Sequence, residues 1–309
     1  MHFISRALAG IALAAACALP AEADTKIRLG LSPTPETATA FVARDEGFFK
    51  KHGLDVDLVI VPVNGTLPAA IMSNSIEVAS ITPTIMLSAI ENGVEMKAFA
   101  NVSLTSKTGS NFGVLVPPAS SIQNAKDLEG KKLATPAVGG VADTLARRWM
   151  QANGADLKKV TFVELPFPAQ PDALKAGQVD GVITSDPFLS RVTSGGIGRQ
   201  IVDLRTTAPE GVPTTVYASS AEWAKANAPA IAAFREAIAD AIAFMKSDEP
   251  KVREDLTRDL KLPPEVMKTV TLPNVAVKLV PADIDWWSET MVKLGMLSKP
   301  IPASSLVVE

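Results

Sequence analysis

The chain is poor in the residues that most nucleophilic and metal-dependent enzymes use. Its 309 residues include one cysteine, two histidines and one tyrosine. After residue 23 there is no cysteine, and the single histidine, His52, stands beside Gly53 at a predicted helix end. A Cys–His or Ser–His–Asp system is hard to assemble from these residues, and a zinc site built on His and Cys is nearly excluded. We therefore expect no catalytic residues, no cofactor and no enzymatic activity.

Charge and hydrophobic patterning exclude two further classes of protein. The 30 basic and 33 acidic residues give a formal net charge of −3, without the basic excess of a nucleic-acid-binding protein. No run of 18 or more apolar residues occurs after residue 23, so no transmembrane helix is predicted. Hydrophobic residues still make up 47% of the chain, which is enough for sizeable cores. The length suggests about two domains.

The first 23 residues have the pattern of a secretory signal peptide. Arg6 supplies the positive charge, residues 7–19 form an apolar run too short to span a bilayer, and residues 21–23 form an Ala-Glu-Ala cleavage site. We therefore expect a signal peptide over residues 1–23 and a periplasmic chain beginning at Asp24. The alternative is lipid anchoring through Cys17, which follows three alanines.

Predicted strands and helices alternate from Lys26 to about Asp203, as in βαβ units with parallel sheets. The predicted strands cover residues 27–32, 55–61, 78–82, 97–102, 111–116, 132–135, 160–164, 181–184 and 201–203. Helices are predicted near residues 38–51, 67–74, 84–92, 141–153, 170–176 and 187–194. After Ala208 the pattern gives one more strand, 214–219, and then a mostly helical segment.

A weak internal echo indicates two lobes of similar topology. Residues 75–83 and 178–187 each follow a helix, place an acidic residue before a strand, and end in a proline that opens the next helix. The chain is expected to cross between the lobes near residues 112–117 and 213–219. The sequence thus predicts two lobes: lobe I, residues 24–112 plus 214–309, and lobe II, residues 113–213.

Four segments in this order resemble the solute-binding proteins of nitrate/sulfonate/taurine-type ABC importers. They are LGLSPTPETATAFVARDEGFFKKHGLDVDLV, EVASITPTIMLSAIENG, GQVDGVITSDPF and DIDWWSETMVKLGML. The resemblance implies an α/β fold, the two-lobed periplasmic-binding-protein fold of type II, with a ligand cleft between lobes and a helical C-terminal segment. It also implies capture of a small molecule by hinge closure. The expected partners are an ABC permease and ATPase in the inner membrane, with the binding protein itself a monomer.

Turns that follow the strands of lobe I supply the first candidate ligand contacts. Hydroxyl groups and free backbone N–H groups at helix starts can hold a polar or anionic group. The alternative for each position is a purely structural role, in a turn or as a helix cap. The resemblance favours ligand contact most strongly at the end of the third strand. The candidates are Ser32, Thr34, Asn64, Gly65, Thr66 and Thr82.

Lobe II and the returning strand supply the other candidates. Gly139, Gly140 and Val141 open a predicted helix; they match neither a P-loop nor a dinucleotide fingerprint, and the resemblance implies that they offer backbone amides. Asp186 either caps the helix begun by Pro187 or binds a ligand amine. Tyr217 either contacts the ligand or packs at the hinge.

The ligand class stays open at this point. Helix N-termini and hydroxyls favour a small anion such as nitrate, a sulfonate or a carboxylate. Members of the resembled family also bind heterocyclic vitamin precursors of the pyrimidine type, which Asp186 would suit. An aromatic content of 5% leans against a stacked ring. Two other functions remain as alternatives, an enzyme on the same fold and a receptor subunit that senses a solute.

Overall fold

The computed structural model of the chain describes residues 24–109 and 112–308. The predicted signal peptide and Cys17 lie outside these residues. Within them, ten strands alternate with helices before a mostly helical C-terminal segment. The strands are β1 (Thr25–Leu31), β2 (Leu54–Ile60), β3 (Val78–Ile81), β4 (Met96–Leu104), β5 (Phe112–Val116), β6 (Lys132–Thr135), β7 (Thr161–Glu164), β8 (Gly181–Ser185), β9 (Arg199–Asp203) and β10 (Pro213–Ser220).

The strands form two five-stranded sheets of matching topology. The first sheet has the order β2-β1-β3-β10-β4 and the second has the order β7-β6-β8-β5-β9. In the first, β1 is parallel to β2 and β3, while β10 runs antiparallel between β3 and β4. In the second, β6 is parallel to β7 and β8, while β5 runs antiparallel between β8 and β9. The α/β class predicted from the sequence is confirmed.

Helices follow most of the strands and pack on the sheets. They are α1 (Ala38–Asp45), α2 (Phe48–Lys51), α3 (Leu67–Met72), α4 (Pro83–Glu91), α5 (Val141–Ala152), α6 (Gln170–Lys175), α7 (Phe188–Ser194), α8 (Ala221–Ala226), α9 (Ala228–Ser247), α10 (Glu249–Leu260), α11 (Pro264–Thr269) and α12 (Pro281–Lys293). Across the described residues, no helix combines the length and apolarity needed to cross a membrane.

Central strands are buried on both faces, because helices cover both sides of each sheet. Every residue of β3 and of β8 is buried. One core cluster lies under α1 and α9 and contains Phe41, Phe99 and Phe234. These buried strands end in short polar turns, so their carboxyl ends place polar groups next to helix starts.

The predicted strands agree with the structure, and one predicted helix does not. Each of the ten predicted strands overlaps an observed strand. The helix expected over residues 38–51 is interrupted, because Gly47 has φ +73° in the left-handed region. Helix α1 ends at Asp45 and α2 begins at Phe48.

The chain passes between the sheets after Leu104 and again after Asp203. Phe112 pairs with Ser185 in the second sheet, and Pro213 pairs with Leu104 in the first. The sequence predicts the crossings near residues 112–117 and 213–219, but strands occupy both of those ranges. The crossings themselves lie just before them. The lobe boundaries at residues 112 and 213 stay predictions.

Thr105 fastens the two crossing segments together. Its N–H donates to the Val212 carbonyl (2.7 Å), and its carbonyl accepts from the Gly211 N–H (2.9 Å). Its hydroxyl donates to the Pro209 carbonyl (2.6 Å) and accepts from the Val212 N–H (2.9 Å). The sheets are thus linked through a short hydrogen-bonded region.

Candidate functional site

A cavity of about 200 Å³ lies between the two sheets, and we call it the cleft. The first sheet contributes mainly polar groups to its wall, from the end of β3 and from the loops that follow its strands, among them Ser32, Thr34, Asn64, Ser80 and Thr82. Segments of the second sheet contribute mainly apolar groups, among them Phe112, Pro136, Val141, Phe167 and Phe188. The two halves of the molecule therefore present different chemistry to the same space.

The loop after β1 is held in place by its own hydroxyl groups. Ser32 Oγ donates to the Val61 carbonyl (2.9 Å), and Thr37 Oγ1 donates to the carbonyls of Ser32 (3.0 Å) and Thr34 (2.8 Å). Ser32 and Thr34, both predicted as ligand contacts, lie on the cleft wall. Thr37 stands at the N-cap position of α1, but its hydroxyl accepts no hydrogen bond from a helix N–H.

The Asn64 side chain ties the ends of β2 and β3 together on the cleft wall. Its Oδ1 accepts from the Thr82 N–H (3.1 Å) and the Thr82 hydroxyl (3.3 Å), and its Nδ2 donates to the Ser80 carbonyl (3.2 Å). Thr82 also caps α4, since its Oγ1 accepts from the Ile85 N–H (3.4 Å). Asn64 and Thr82 thus fix the start of α4 at the cleft.

Ser80 provides a buried hydroxyl at the cleft that nothing in the described chain uses. The residue is 0% exposed and lies on the cleft wall. Its Oγ has no hydrogen-bond partner among the described residues. Buried hydroxyls in native proteins normally have a partner, so this group is available to a ligand or a water molecule.

Helix α5 begins at the cleft from the opposite side. Gly140 and Val141 lie on the wall, together with Ala142. The Thr144 N–H donates to the Gly140 carbonyl (2.8 Å), which starts the helix. The N–H groups of the first turn have no intrahelical acceptor, and the helix dipole makes this end positive. Two helix starts, of α4 and α5, therefore meet the cleft from different sheets.

Asp143 braces the turn that leads into α5. Its Oδ2 accepts from the Gly139 N–H (2.8 Å) and from the Arg147 Nε–H (2.8 Å). Gly139 has φ +78°, a conformation that glycine adopts without strain. Burial raises the pKa of the Asp143 carboxyl above its ordinary value, although the Arg147 guanidinium and the Gly139 N–H act in the opposite direction.

Four predicted contacts lie off the cleft wall in turns and caps. Gly65 is exposed in the turn before α3, and Thr66 is exposed there with its hydroxyl on the Val63 carbonyl (2.9 Å). Gly139 supports the turn but is not on the wall. Asp186 Oδ1 accepts from the N–H (3.0 Å) and hydroxyl (2.5 Å) of Ser190, as in the capping alternative.

Tyr217, the remaining predicted ligand contact, lies in the core and not on the cleft wall. It is 0% exposed, and its ring centroid lies 4.8 Å from that of Phe234. Its hydroxyl shares a hydrogen bond with Thr39 (2.9 Å). Burial raises the pKa of the phenol. The packing alternative is the one that the structure supports.

Several residues on the cleft wall are not among the contacts predicted from the sequence. Glu36 is buried and contributes the carboxyl group there, and Thr214 and Thr215 come from the start of β10. The signal for Glu36 was its position in the same loop as Thr34. Nothing in the local sequence around Phe167 indicates that its ring reaches the cleft wall. Among the described residues, no cluster of His, Cys, Asp or Glu could hold a metal ion.

Comparison with known proteins identifies relatives of this chain. The model of the family described as NMT1/THI5 like matches residues 34–251. The nitrate import ATP-binding protein NrtC of Synechocystis sp. is 26% identical over 251 residues, which cover 76% of this chain and 37% of that protein. A Haemophilus influenzae protein assigned to thiamine biosynthesis is 29% identical over 168 residues, covering 53% of this chain and 51% of that protein. The chain thus matches roughly a third to a half of the length of these curated relatives.

A solved structure extends the likeness to nearly the whole chain. The alkanesulfonate-binding protein SsuA from Xanthomonas axonopodis pv. citri superposes with a TM-score of 0.80 at 21% sequence identity, over 93% of this chain and 99% of that one. This likeness concerns the fold, and it confirms the two-lobed periplasmic-binding-protein architecture. The family match confirms the resemblance on which that prediction rested. The chain belongs to the NMT1/THI5-like family.

Proposed function

We propose that this chain is the substrate-binding component of an ABC importer and that it captures a small anion, such as nitrate, a sulfonate or a carboxylate, in the cleft. The observation that carries the proposal is a cavity whose wall is built from both sheets, which are joined through two crossings. A ligand that binds between two lobes stabilises the closed state, in which both lobes contact it. Ligand binding would therefore cause lobe I, residues 24–112 and 214–309, to close on lobe II, residues 113–213.

The polar groups of the cleft support an anionic ligand. The start of α4, capped by Thr82, and the start of α5, after Gly140, both meet the cleft. Positive helix ends stabilise negative charge without a basic side chain. The start of α5 has no side-chain cap, so its first-turn N–H groups add donors there. The free hydroxyl of Ser80 adds a donor. Closure would bring donors from the two lobes onto one ligand group.

The relatives support the transport context. One is named for nitrate import and another for binding alkanesulfonates. By this analogy the chain works as a monomer in the periplasm and delivers its ligand to an inner-membrane permease driven by an ATPase. It releases the compound chemically unchanged, since its part is binding and not turnover.

A second candidate ligand is a nitrogen heterocycle, as in vitamin precursors of the pyrimidine type. The Glu36 carboxyl on the cleft wall supports it, because a carboxylate accepts hydrogen bonds from ring or amino N–H groups. The Haemophilus influenzae relative assigned to thiamine biosynthesis points the same way. A single panel of compounds separates the two candidates.

The test is a thermal shift of the chain from Asp24 onward against nitrate, bicarbonate, alkyl and aryl sulfonates, carboxylates and aminopyrimidines. A ligand at 100 times its Kd stabilises the folded chain by about 2.7 kcal/mol, which raises the Tm by several degrees. We expect this rise with one class of anion, with the compound recovered unchanged by NMR. A rise only with aminopyrimidines would favour the second candidate, and consumption of a compound would overturn the assignment as a binding protein.

The variant Asn64→Ala tests whether the cleft is the site. It removes the tie between the ends of β2 and β3, so that the start of α4 is no longer fixed at the cleft. We expect binding to weaken about tenfold, or about 1.4 kcal/mol. The control is Asn92→Ala, an exposed asparagine at the other end of α4 whose Nδ2 donates to the Ser88 carbonyl. Equal affinities in both variants would remove the start of α4 from the site.

A further inference from the structure

We propose that the second-sheet wall of the cleft is a subsite for a flat ring, so that the ligand is a ring-bearing compound such as an aromatic acid. This inference rests on the proposed function and specifies the body of the ligand that the helix starts hold. It distinguishes this chain from proteins that bind nitrate or bicarbonate, because those ions have no ring to occupy the subsite.

Two phenylalanines from separate segments stack against each other at the cleft. Phe167 lies in the turn after β7, and Phe188 is the first residue of α7. Their ring centroids are 6.0 Å apart and their planes differ by 1°. Both residues are half-buried and both lie on the cleft wall. Parallel rings at this distance make an offset stack, and ring surface left exposed in a cleft is what an apolar ligand covers.

The surroundings of the pair extend the apolar surface and hold it rigid. Phe112, at the start of β5, adds a third half-buried ring to the wall. Pro166 and Pro168 flank Phe167 and also lie on the wall. Because proline fixes its own φ, the backbone that carries this ring loses little freedom when a ligand binds. The ring surface is therefore preformed.

The cleft is thus amphipathic in a fixed direction. Polar groups lie on the first-sheet side, where Asn64, Thr82 and the unpartnered Ser80 hydroxyl stand together, and the rings lie on the second-sheet side. A ligand with a polar end and a flat apolar end complements both. A single water molecule needs roughly 10–15 Å³ of cavity volume, and the cleft has a volume of about 200 Å³. A bare oxyanion would leave most of it unfilled.

The experiment is isothermal titration of the chain from Asp24 onward with pairs of compounds that share a polar head and differ in the ring. The pairs are benzoate with acetate and benzenesulfonate with methanesulfonate; nitrate and 4-aminopyrimidine complete the set. We expect at least one ring compound to bind at least tenfold more tightly than its ring-free partner. Phe188→Ala should remove most of that ratio, and Phe188→Leu, which keeps apolar volume without a flat face, should remove part of it.

A matched control separates the subsite from a general loss of packing. Phe48→Ala removes a half-buried ring that stacks edge-on against Phe244 in lobe I, away from the cleft. It should leave the ring-to-ring-free ratio unchanged. Circular dichroism confirms that each variant is folded.

The outcomes distinguish this inference from the proposed function. If the ring-free anions bind as tightly as their ring partners and Phe188→Ala leaves all affinities unchanged, the subsite is refuted while the binding function stands. If 4-aminopyrimidine alone binds and loses affinity in Phe188→Ala, the subsite stands and the anionic head is refuted. If no compound binds the unaltered chain, both are refuted.

Discussion

Asp143 links the cleft to the interior through a single carboxyl group. Its Oδ2 accepts from the Gly139 N–H and the Arg147 side chain, while its Oδ1 has no partner among the described residues. The guanidinium of Arg147 also lies over the Phe162 ring, 3.5 Å from its centroid. A buried acid with one oxygen unused is costly in its charged form. The turn that leads into α5 is therefore held by a carboxyl group, that of Asp143, whose protonated form is favoured by burial.

The raised pKa of Asp143 should make the stability of the chain depend on pH. Because the folded pKa of Asp143 is raised above its ordinary value of 3.8, protonated Asp143 contributes stability that is fully present below that value. The contribution is lost as the pH rises through the folded pKa. We expect the Tm of the unaltered chain to fall relative to that of Asp143→Asn as the pH increases from about 3 to about 7.

The measurement is a set of melting curves at several pH values. Asp172→Asn, which removes an acid that is 71% exposed and paired with Arg191, serves as the control and should run parallel to the unaltered chain. A Tm difference that instead widens in favour of the unaltered chain at higher pH would mean that the Arg147 pair outweighs burial.

Residue positions at strand ends could be predicted, and those that depend on tertiary convergence could not. Ser32 and Thr82 follow strands and precede helical turns, a local pattern that places them at the cleft. Tyr217 has no such marker: the pairing of β10 with β4 shifts register around Thr215 and Tyr217, so alternation along the strand does not reveal which of them reaches the cleft. Phe167 and Phe188 meet only because two separate segments converge.

At the scale of elements, the turn from β6 into α5 depends on two adjacent glycines in different conformations. Gly139 has a positive φ, whereas Gly140 has φ −71° and donates its N–H to the Ala137 carbonyl (3.0 Å). A Cβ on Gly140 would lie 3.1 Å from that carbonyl oxygen. The sequence marks the pair as a turn, but only the structure assigns Gly140 to the wall and Gly139 to its support.

Replacing Gly140 by proline should displace the start of α5 without unfolding the chain. Proline has no N–H for the Ala137 carbonyl, and it restricts the residue before it to extended backbone, which the positive φ of Gly139 contradicts. Proline is nonetheless tolerated where a helix begins. We expect ligand affinity to fall at least tenfold, or about 1.4 kcal/mol, with helical content retained.

Titration calorimetry and circular dichroism on Gly140→Pro and on Gly65→Ala provide the comparison. Gly65 is exposed, off the cleft wall, and has nothing within 4 Å of an added Cβ. Its variant should bind as the unaltered chain does. Unchanged affinity in Gly140→Pro would remove this turn from the site.

At the scale of the whole molecule, the two sheets and their order of connection follow from the sequence better than the crossings do. Alternation of strands and helices gives two βαβ bodies, and the late strand over residues 214–219 returns the chain to the first. The crossings are less visible, because nothing in the strands that follow them, β5 and β10, marks a change of sheet. The hydrogen bonds that join the crossings at Thr105 involve residues about 100 positions apart, which no local pattern encodes.

Thr105 should set how freely the sheets move against each other. Thr105→Val keeps the shape of the side chain but leaves the Pro209 carbonyl without its hydroxyl donor and the Val212 N–H without its hydroxyl acceptor. Val212 is buried, and leaving a buried backbone N–H unpaired costs about 1–3 kcal/mol of the free energy of unfolding. With these two hydroxyl bonds removed and the two backbone bonds of Thr105 retained, the link is weakened. We therefore also expect arrangements with the sheets apart to gain population and the observed affinity to fall in proportion to the lost binding-competent fraction.

The two effects are measured separately, by denaturant unfolding and by small-angle scattering with and without ligand. The radius of gyration of the ligand-free variant should exceed that of the unaltered chain, while the ligand-bound values agree, because the ligand restores the same closed arrangement. Thr108→Val is the control, since Thr108 is exposed on the same crossing segment and its hydroxyl contacts only Ser106 among the described residues. If both variants lose stability equally, or if neither changes the ligand-free radius, the Thr105 link does not govern movement of the sheets.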